Sequence, residues 1–147
     1  MSPSVRLATA ADAPAVAALC RLLDVGDEPG LDDAQARRAF EALTARPEHR
    51  IYVAERAGRI VGSFALIFVG GLAHGGRDSC IVEDVVVAPD CRGGGIGRTM
   101  MRHAMAACAE RGCYKLVLSS HVDRDAAHRF YERLGFRRHG YSFLVDG

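Results

Sequence analysis

A strand-like run that leads through a cluster of glycines into a helix-forming segment constrains this chain more than any other feature. Residues 85–87 are three consecutive valines, which suit a strand that is buried on both faces. Pro89 should end that strand, because proline has no N–H to donate to a sheet. Four of the five residues from 93 to 97 are glycines, and the segment 98–105 that follows them favours a helix. The sequence therefore predicts a strand, a glycine turn and a helix in direct succession.

The glycine turn has the character of an anion site. Glycines at a helix start leave the first backbone N–H groups uncovered, and the helix dipole favours an anion at that end. Consecutive N–H groups can also surround a phosphate oxygen. The turn is not a P-loop, because no Lys follows the glycines. It does not match a dinucleotide fingerprint either, because the third glycine of that pattern would fall on Arg98 or Met100. The pattern present is Arg-x-x-Gly-x-Gly at Arg92, Gly95 and Gly97. It indicates a pyrophosphate site, and a tight turn without a ligand is the alternative.

Length and composition describe an ordinary globular domain. With 147 residues the chain can bury a core of its own but is short for two domains. The formal net charge of +1 gives no polyelectrolyte character, so we expect no nucleic-acid partner. Five cysteines without C-x-x-C spacing predict neither a disulfide framework nor a metal site, and they favour a reduced, cytoplasmic location. The sequence shows no signal peptide and no apolar run of membrane length, so we expect no membrane partner.

The order of apolar patterns predicts an α/β chain of the mixed α+β kind. The predicted order is β-α-α-β-β-β-α-β-α-β, which gives a mixed sheet with helices on both faces. The first strand is expected at residues 5–7, and Asp12 is expected to cap the first helix. Two strands are expected at residues 51–54 and 60–69, joined by a compact hairpin at residues 56–59. Residues 79–87 form the predicted central strand, and a further strand is expected at residues 115–119. The helix after the glycines should bury one apolar stripe, which consists of Ile96, Met100, Ala104, Ala107 and Cys108. Gly112 should end the helix that follows the glycines, and a last strand is expected from Phe136 to near Val145.

A second motif identifies a family resemblance. The pattern A-x-x-F-Y-x-x-x-G-F spans residues 127–136, about one strand after the glycine turn at residues 92–97. In this order the two motifs resemble the signatures of the GNAT superfamily of N-acetyltransferases. Residues 81–87 with 91–93 are similar to glucosamine-phosphate N-acetyltransferases. Residues 126–131, followed by a short aromatic tail, are similar to aminoalkylphosphonate N-acetyltransferases. These two similarities differ in the acceptor, so the acceptor stays open.

The resemblance implies a fold and an activity for the chain. It implies one N-acetyltransferase domain over residues 1–147, with the GNAT fold and its mixed, largely antiparallel central sheet. It implies direct attack of an amine on acetyl-CoA, which is the co-substrate, with a small-molecule primary amine as acceptor. A homodimer formed through the last strands is implied in the same way. The alternatives are acetylation of a protein Lys or N-terminus, and a CoA-binding module without catalysis.

The cofactor should bind along the strand and the glycine turn. The amides from Gly93 to Arg98 would take the pyrophosphate, and the open edge of residues 85–87 would bind the pantetheine like an added strand. A backbone N–H near Val86 is the candidate oxyanion donor. Arg124 stands where many family members carry an Asn that contacts the cofactor. The predicted cofactor-binding residues are Val85, Val86, Val87, Arg92, Gly93, Gly94, Gly95, Ile96, Gly97, Arg98 and His128.

Two catalytic residues are predicted. Tyr131, which matches the family tyrosine, is the expected general acid, because a phenol of pKa about 10 is protonated at neutral pH and can donate to a thiolate. Glu83 is the expected general base. Strand alternation would place Glu83, Val85 and Val87 on one face and Asp84 on the other, so Asp84 is the base if the cleft opens there. His121 and His128 are further alternatives.

Two other features could serve the acceptor. The acidic loop residues Asp24, Asp27 and Glu28 could attract a cationic amine. Arg77 would suit an acceptor that bears a phosphate or phosphonate. Simple solvation is the alternative for the acidic loop.

Overall fold

In the computed structural model, residues 2–23 and 26–147 are described, and the chain forms two compact units. The first unit runs to Val117 and the second begins at Leu118. Asp24, which the sequence places in the acidic loop, lies outside the described residues. Within the described part of the chain, none of the helices combines the length and the apolar character that crossing a membrane requires.

The first unit is built on a sheet of five strands. They are β1 (Ser4–Leu7), β2 (His49–Arg56), β3 (Arg59–Val69), β4 (Ser79–Val87) and β5 (Leu116–Val117). The strands lie in chain order across the sheet, and only the β4–β5 pair is parallel. The mixed, largely antiparallel sheet is therefore confirmed, and β4 has the predicted bounds. The predicted strand after Lys115 is reduced to the two residues of β5.

A two-residue turn joins β2 to β3. Ala57 and Gly58 have φ values of +53° and +76°. Positive φ at both central residues is the mark of the tight hairpin turn whose twist matches that of the strands. The turn pairs Arg56 with Arg59, and a bulge between Ala54 and Glu55 then shifts the register by one residue. This shift sets Tyr52 opposite Phe64, and their rings stack with centroids 5.0 Å apart. The predicted compact hairpin is confirmed.

The alternation along β4 is interrupted by a bulge. Glu83 pairs with Ala65 and Val86 with Ser63, so two residues of β4 oppose the single residue between them on β3. Asp84 has a φ of +54°, which takes its backbone into the left-handed region. The predicted alternation of Glu83, Val85 and Val87 on one face is therefore wrong, because the extra residue shifts the phase of the strand.

Two helices cover one face of the sheet. They are α1 (Ala13–Cys20) and α2 (Asp33–Thr44). Asp32 begins α2: its carboxylate accepts a hydrogen bond from the Gln35 N–H at 2.8 Å, while the Gln35 side chain accepts one from the Asp32 N–H at 2.9 Å. The cluster that joins these helices to the sheet consists of Ala13, Ala36, Phe40, Ile51 and Ala65.

The opposite face is covered by α3 (Ile96–Arg111). Its predicted stripe is confirmed, since Ile96, Met100, Ala104, Ala107 and Cys108 are all buried. The helix lies so close to β3 that a Cβ added to Gly62 would stand 2.8 Å from the Met100 sulfur. Gly112 ends the helix in a left-handed conformation, as predicted.

The second unit contains α4 (Asp125–Arg133) and the chain after it. Gly135, at a φ of +102°, follows the end of α4. The predicted last strand is not formed. Residues 136–147 pair with no strand in the described chain, and the side chains of Tyr141 and Phe143 are 92% and 94% exposed. A strand exists only through a ladder to a neighbour, so β-forming residues alone do not make one.

Candidate active site

The glycine turn holds its shape through left-handed backbone conformations. Gly93 and Gly95 both have a φ of +83°, and Gly95 is the residue that precedes the first turn of α3. A Cβ added at either residue would meet no atom within 4 Å. These glycines are therefore required by the backbone conformation rather than by close packing, and the space outside the turn is open.

The backbone N–H groups of the turn have no protein partner. The first intrahelical bond of α3 runs from the Thr99 N–H to the Gly95 carbonyl at 3.0 Å. Within the described chain, none of the N–H groups from Arg92 to Arg98 donates to a backbone or side-chain acceptor, and no side chain caps the helix at Gly95. An exposed array of this kind, at the positive end of a helix of 16 residues, is suited to bind an anion.

One edge of β4 is unpaired beside this turn. β5 pairs with β4 only through Cys80 and Ile81. From Val82 to Val87, the edge of β4 that faces away from β3 has no strand partner among the described residues. The Arg92 guanidinium donates to the Val87 carbonyl at 3.4 Å, which links the end of this edge to the turn. The edge offers main-chain hydrogen bonds to an extended ligand.

A cavity of about 410 Å³ lies between α1, α2 and the sheet. Its wall is mainly apolar and includes Val16 and Ala17 from α1, Ala39 and Phe40 from α2, and Ala65 from β3. Every lining residue belongs to the first unit. The cavity therefore gives the first unit an apolar space, open to solvent on one side, that reaches β4.

The bulge brings Asp84 to this cavity. Asp84 lines it, and Glu83 does not. Cys20 is also a lining residue, and its burial, followed by the negative charge of Asp84, raises the pKa of its thiol to about 11. Partial desolvation, and then the charge of Asp84, raise the pKa of Glu83, although its side chain remains accessible to solvent. The neighbouring charge of Asp84 thus disfavours the ionisation of Glu83.

The acidic loop contributes one residue to the cavity. Glu28 is among the lining residues and Asp27 is not. Arg77, the residue expected to suit a phosphate, lies outside the lining and donates from its Nε to the His74 carbonyl at 3.3 Å. The predicted role of the loop therefore depends on Glu28 within the described chain.

The second unit holds the predicted acid. Tyr131 lies on α4 with its ring edge-on to Phe130 and Phe136, at centroid distances of 5.2 and 5.7 Å. Burial raises the pKa of Tyr131 above that of a free phenol. The Phe136 N–H donates to the Tyr131 carbonyl at 3.1 Å, which joins the end of the helix to the chain after Gly135. The phenol is therefore protonated at neutral pH, as a general acid must be.

The two histidines of this unit contact each other's segment. His128 Nε2 lies 2.8 Å from the His121 carbonyl oxygen, and the Nδ1 of His121 accepts from the Asp123 N–H at 3.1 Å. One ring nitrogen of His128 therefore links α4 to the segment that precedes it, and Arg124 is the residue before the first helical one. Their predicted roles toward the cofactor and the amine stay predictions.

Comparison with known proteins decides the family. A sequence model described as the acetyltransferase (GNAT) family matches residues 16–136, which is most of the chain. The chain belongs to the GNAT acetyltransferase family. It is therefore an acetyltransferase, and the family generally takes the acetyl group from acetyl-CoA.

Individual relatives of this GNAT protein agree with that placement. Glucosamine 6-phosphate N-acetyltransferase of Trypanosoma brucei brucei is 36% identical over 97 residues, which cover 66% of this chain. The match spans 64% of that protein, slightly less than two thirds of its length. Aminoalkylphosphonate N-acetyltransferase of Salmonella typhimurium is 32% identical over 140 residues, covering 95% of this chain and 88% of the relative. A solved structure from Agrobacterium tumefaciens, assigned as an acetyltransferase, has a TM-score of 0.92 and 33% identity, covering 98% of this chain and 99% of its own.

The cavity is the feature of this GNAT protein that sequence reasoning missed. Its walls come from α1 and α2, whose alanines and valine look the same in sequence whether they face a packed core or an empty space. One signal was present: the first helix is unusually rich in small residues, reading Ala-Pro-Ala-Val-Ala-Ala-Leu-Cys over 13–20. Small side chains opposite a sheet leave room between the layers.

Proposed function

We propose that this chain transfers the acetyl group of acetyl-CoA to the primary amine of a small molecule by direct attack. The observation that carries the proposal is the array of unpaired N–H groups from Arg92 to Arg98, which lies next to the unpaired edge of β4 in a member of the GNAT family. The named relatives that acetylate glucosamine 6-phosphate and aminoalkylphosphonates support a small-molecule acceptor.

The proposed cofactor site uses backbone groups. The pyrophosphate of CoA takes hydrogen bonds from the amides of Gly93 to Arg98, with the α3 dipole favouring its charge. The pantetheine extends along Val85, Val86 and Val87 as an added strand. Holding both reactants in one cleft can lower the barrier by roughly 7–11 kcal/mol, which makes positioning the largest contribution we expect from these residues.

The proposed chemistry moves two protons and one acyl group. A base takes a proton from the acceptor ammonium, and the neutral nitrogen attacks the thioester carbonyl carbon. The carbonyl oxygen becomes negative and is stabilised by the backbone N–H near Val86. The C–S bond then breaks, and the CoA thiolate takes a proton from the Tyr131 phenol. The products are an N-acetylated amine and free CoA.

Two neighbouring carboxylates are candidates for the base. Glu83 has a raised pKa, which brings a carboxylate closer to the pH at which a base works best. Asp84 lines the cavity and Glu83 does not, which supports the alternative.

The experiment follows the release of free thiol from acetyl-CoA with a panel of primary amines. We expect turnover with small amines, and we expect Tyr131→Phe to lower kcat by roughly 10²- to 10⁴-fold, the usual contribution of a general acid. Tyr141→Phe is the matched control, because that side chain is 92% exposed. Equal rates for the two variants would contradict the role of Tyr131.

Two alternative functions have distinct outcomes in the same assay. Acetylation of peptides but of no small amine would indicate a protein acetyltransferase. Tight CoA binding without turnover on any amine would indicate a CoA-binding module. We also propose a cytoplasmic homodimer: all five cysteines are free thiols, which suits a reducing compartment, and dimers are implied by the family resemblance. Sedimentation equilibrium tests the dimer.

A further inference from the structure

The cavity beside Asp84 has the volume of a small-molecule site. An apolar cavity of about 150 Å³ is known to bind benzene. At about 410 Å³, this one has between two and three times that volume. Pockets of about this volume enclose most of a small ligand's surface, so the shape and polarity of the wall select the ligand.

The wall offers few hydrogen bonds. Among the described lining residues, the one buried polar side chain is that of Ser63, 2% exposed, whose hydroxyl donates to the Tyr52 carbonyl at 3.1 Å. The remaining side chains from α1, α2 and β3 that line it are alanine, valine, leucine, phenylalanine and cysteine. A sugar ring placed here would leave its hydroxyl groups without partners, which disfavours binding.

The charges at the cavity suit a cation better than an anion. Among the described lining residues, Asp84 and Glu28 supply two carboxylates, Arg21 supplies one guanidinium and His49 supplies an imidazole. The Arg21 Nη2 donates to the Leu31 carbonyl at 3.1 Å, and because this acceptor is neutral the guanidinium keeps its charge. A phosphate would therefore meet two carboxylates and one guanidinium, whereas an ammonium group would meet an excess of negative charge next to an apolar wall.

We propose that the acceptor is a primary amine with an apolar body, aliphatic or aromatic, whose carbon skeleton fills this cavity while its ammonium group lies at Asp84. The proposal rests on the acetyl-transfer function proposed above and names its substrate class. It differs from the phosphate- and phosphonate-bearing acceptors in the names of the two relatives, because among the described lining residues the carboxylates outnumber the one guanidinium.

A homologous series of amines tests the proposal. We expect kcat/KM to rise about fourfold for each methylene from propylamine to hexylamine, since a buried methylene contributes about 0.8 kcal/mol. Phenethylamine should exceed both glucosamine 6-phosphate and 2-aminoethylphosphonate by at least tenfold. A flat series, or a phosphate-bearing acceptor as the better substrate, would overturn the inference and leave acetyl transfer standing.

Two variants on one helix assign the effect to the cavity. Ala17 lines the cavity, whereas Ala18 is exposed and does not. Ala17→Phe should fill the space and remove the rise with chain length, and Ala18→Phe should retain it. Ala39→Leu, which enters from α2, is the second variant if Ala17→Phe does not fold. CoA affinity should be unchanged in all three, and equal behaviour of Ala17→Phe and Ala18→Phe would refute the assignment.

A binding measurement separates the failure of this inference from the failure of the proposed function. Hexylamine is titrated into the CoA-saturated protein by calorimetry. If no amine is turned over but hexylamine binds and Ala17→Phe abolishes binding, the acetyl-transfer proposal fails and the cavity is still an amine site. If hexylamine does not bind and is not acetylated, the inference is wrong.

Discussion

Gly95 allows the cofactor site to be tested apart from the stability of the fold. Its φ of +83° lies in the left-handed region, and its added Cβ would meet no neighbour. Alanine there costs about 1–2 kcal/mol of folding free energy through backbone strain alone. Gly112, at a φ of +76° with equally open surroundings, should cost the same when replaced by alanine. The two residues flank α3, whose 16 residues span about 24 Å.

Binding should distinguish the two substitutions. Gly95→Ala relieves part of this strain by turning its peptide planes, which redirects the N–H groups that we assign to the pyrophosphate. A hydrogen bond to a charged acceptor contributes about 1.5–3 kcal/mol. Loss of one such bond should raise the Kd for CoA by roughly 10- to 150-fold. Gly112→Ala lies at the negative end of the helix and should leave the Kd unchanged.

Calorimetric titration of CoA and thermal unfolding of each variant provide the assay. We expect a similar fall in Tm for Gly95→Ala and Gly112→Ala, together with weakened CoA binding in Gly95→Ala only. Wild-type affinity in Gly95→Ala would refute the role of the turn. Equal loss of affinity in both variants would show that reduced stability, rather than the turn, controls binding.

Three further predictions concern the turn, the base and the core. Gly97 is the second residue of α3, so Gly97→Val should fit the helix and yet obstruct the pyrophosphate, which calorimetry would show as weaker CoA binding at a nearly unchanged Tm. If Glu83 is the base, kcat/KM should rise as the pH passes its raised pKa, and Asp84→Asn should shift this rise to lower pH because it removes a neighbouring negative charge. If Asp84→Asn instead loses activity while Glu83→Gln stays active, the base is Asp84. Leu66 is 0% exposed, so Leu66→Ala should lower the free energy of unfolding by about 2–5 kcal/mol in a urea titration, and a change below 1 kcal/mol would contradict the packing described.

The features that local chemistry controls could be predicted from the sequence. Pro89 and the glycines at 93–97 determine where β4 ends and α3 begins, because proline cannot pair in a sheet and glycine alone adopts the turn without strain. The period of apolar residues gave the buried stripe of α3, and Gly112 gave its end. Each of these signals acts over a few neighbouring residues, and so it can be read without knowing the rest of the fold.

The features that depend on distant parts of the chain were decided by tertiary structure. The bulge at Asp84 arises from the register between β3 and β4, which the sequence of β4 alone does not show. The segment after Phe136 carries β-forming residues but finds no strand to pair with among the described residues. The cavity depends on the separation between α1, α2 and the sheet, and that separation is set by packing across the whole unit. Strand pairing and cavity formation depend on interactions between separate elements, whereas turns and helix ends depend on interactions among a few adjacent residues.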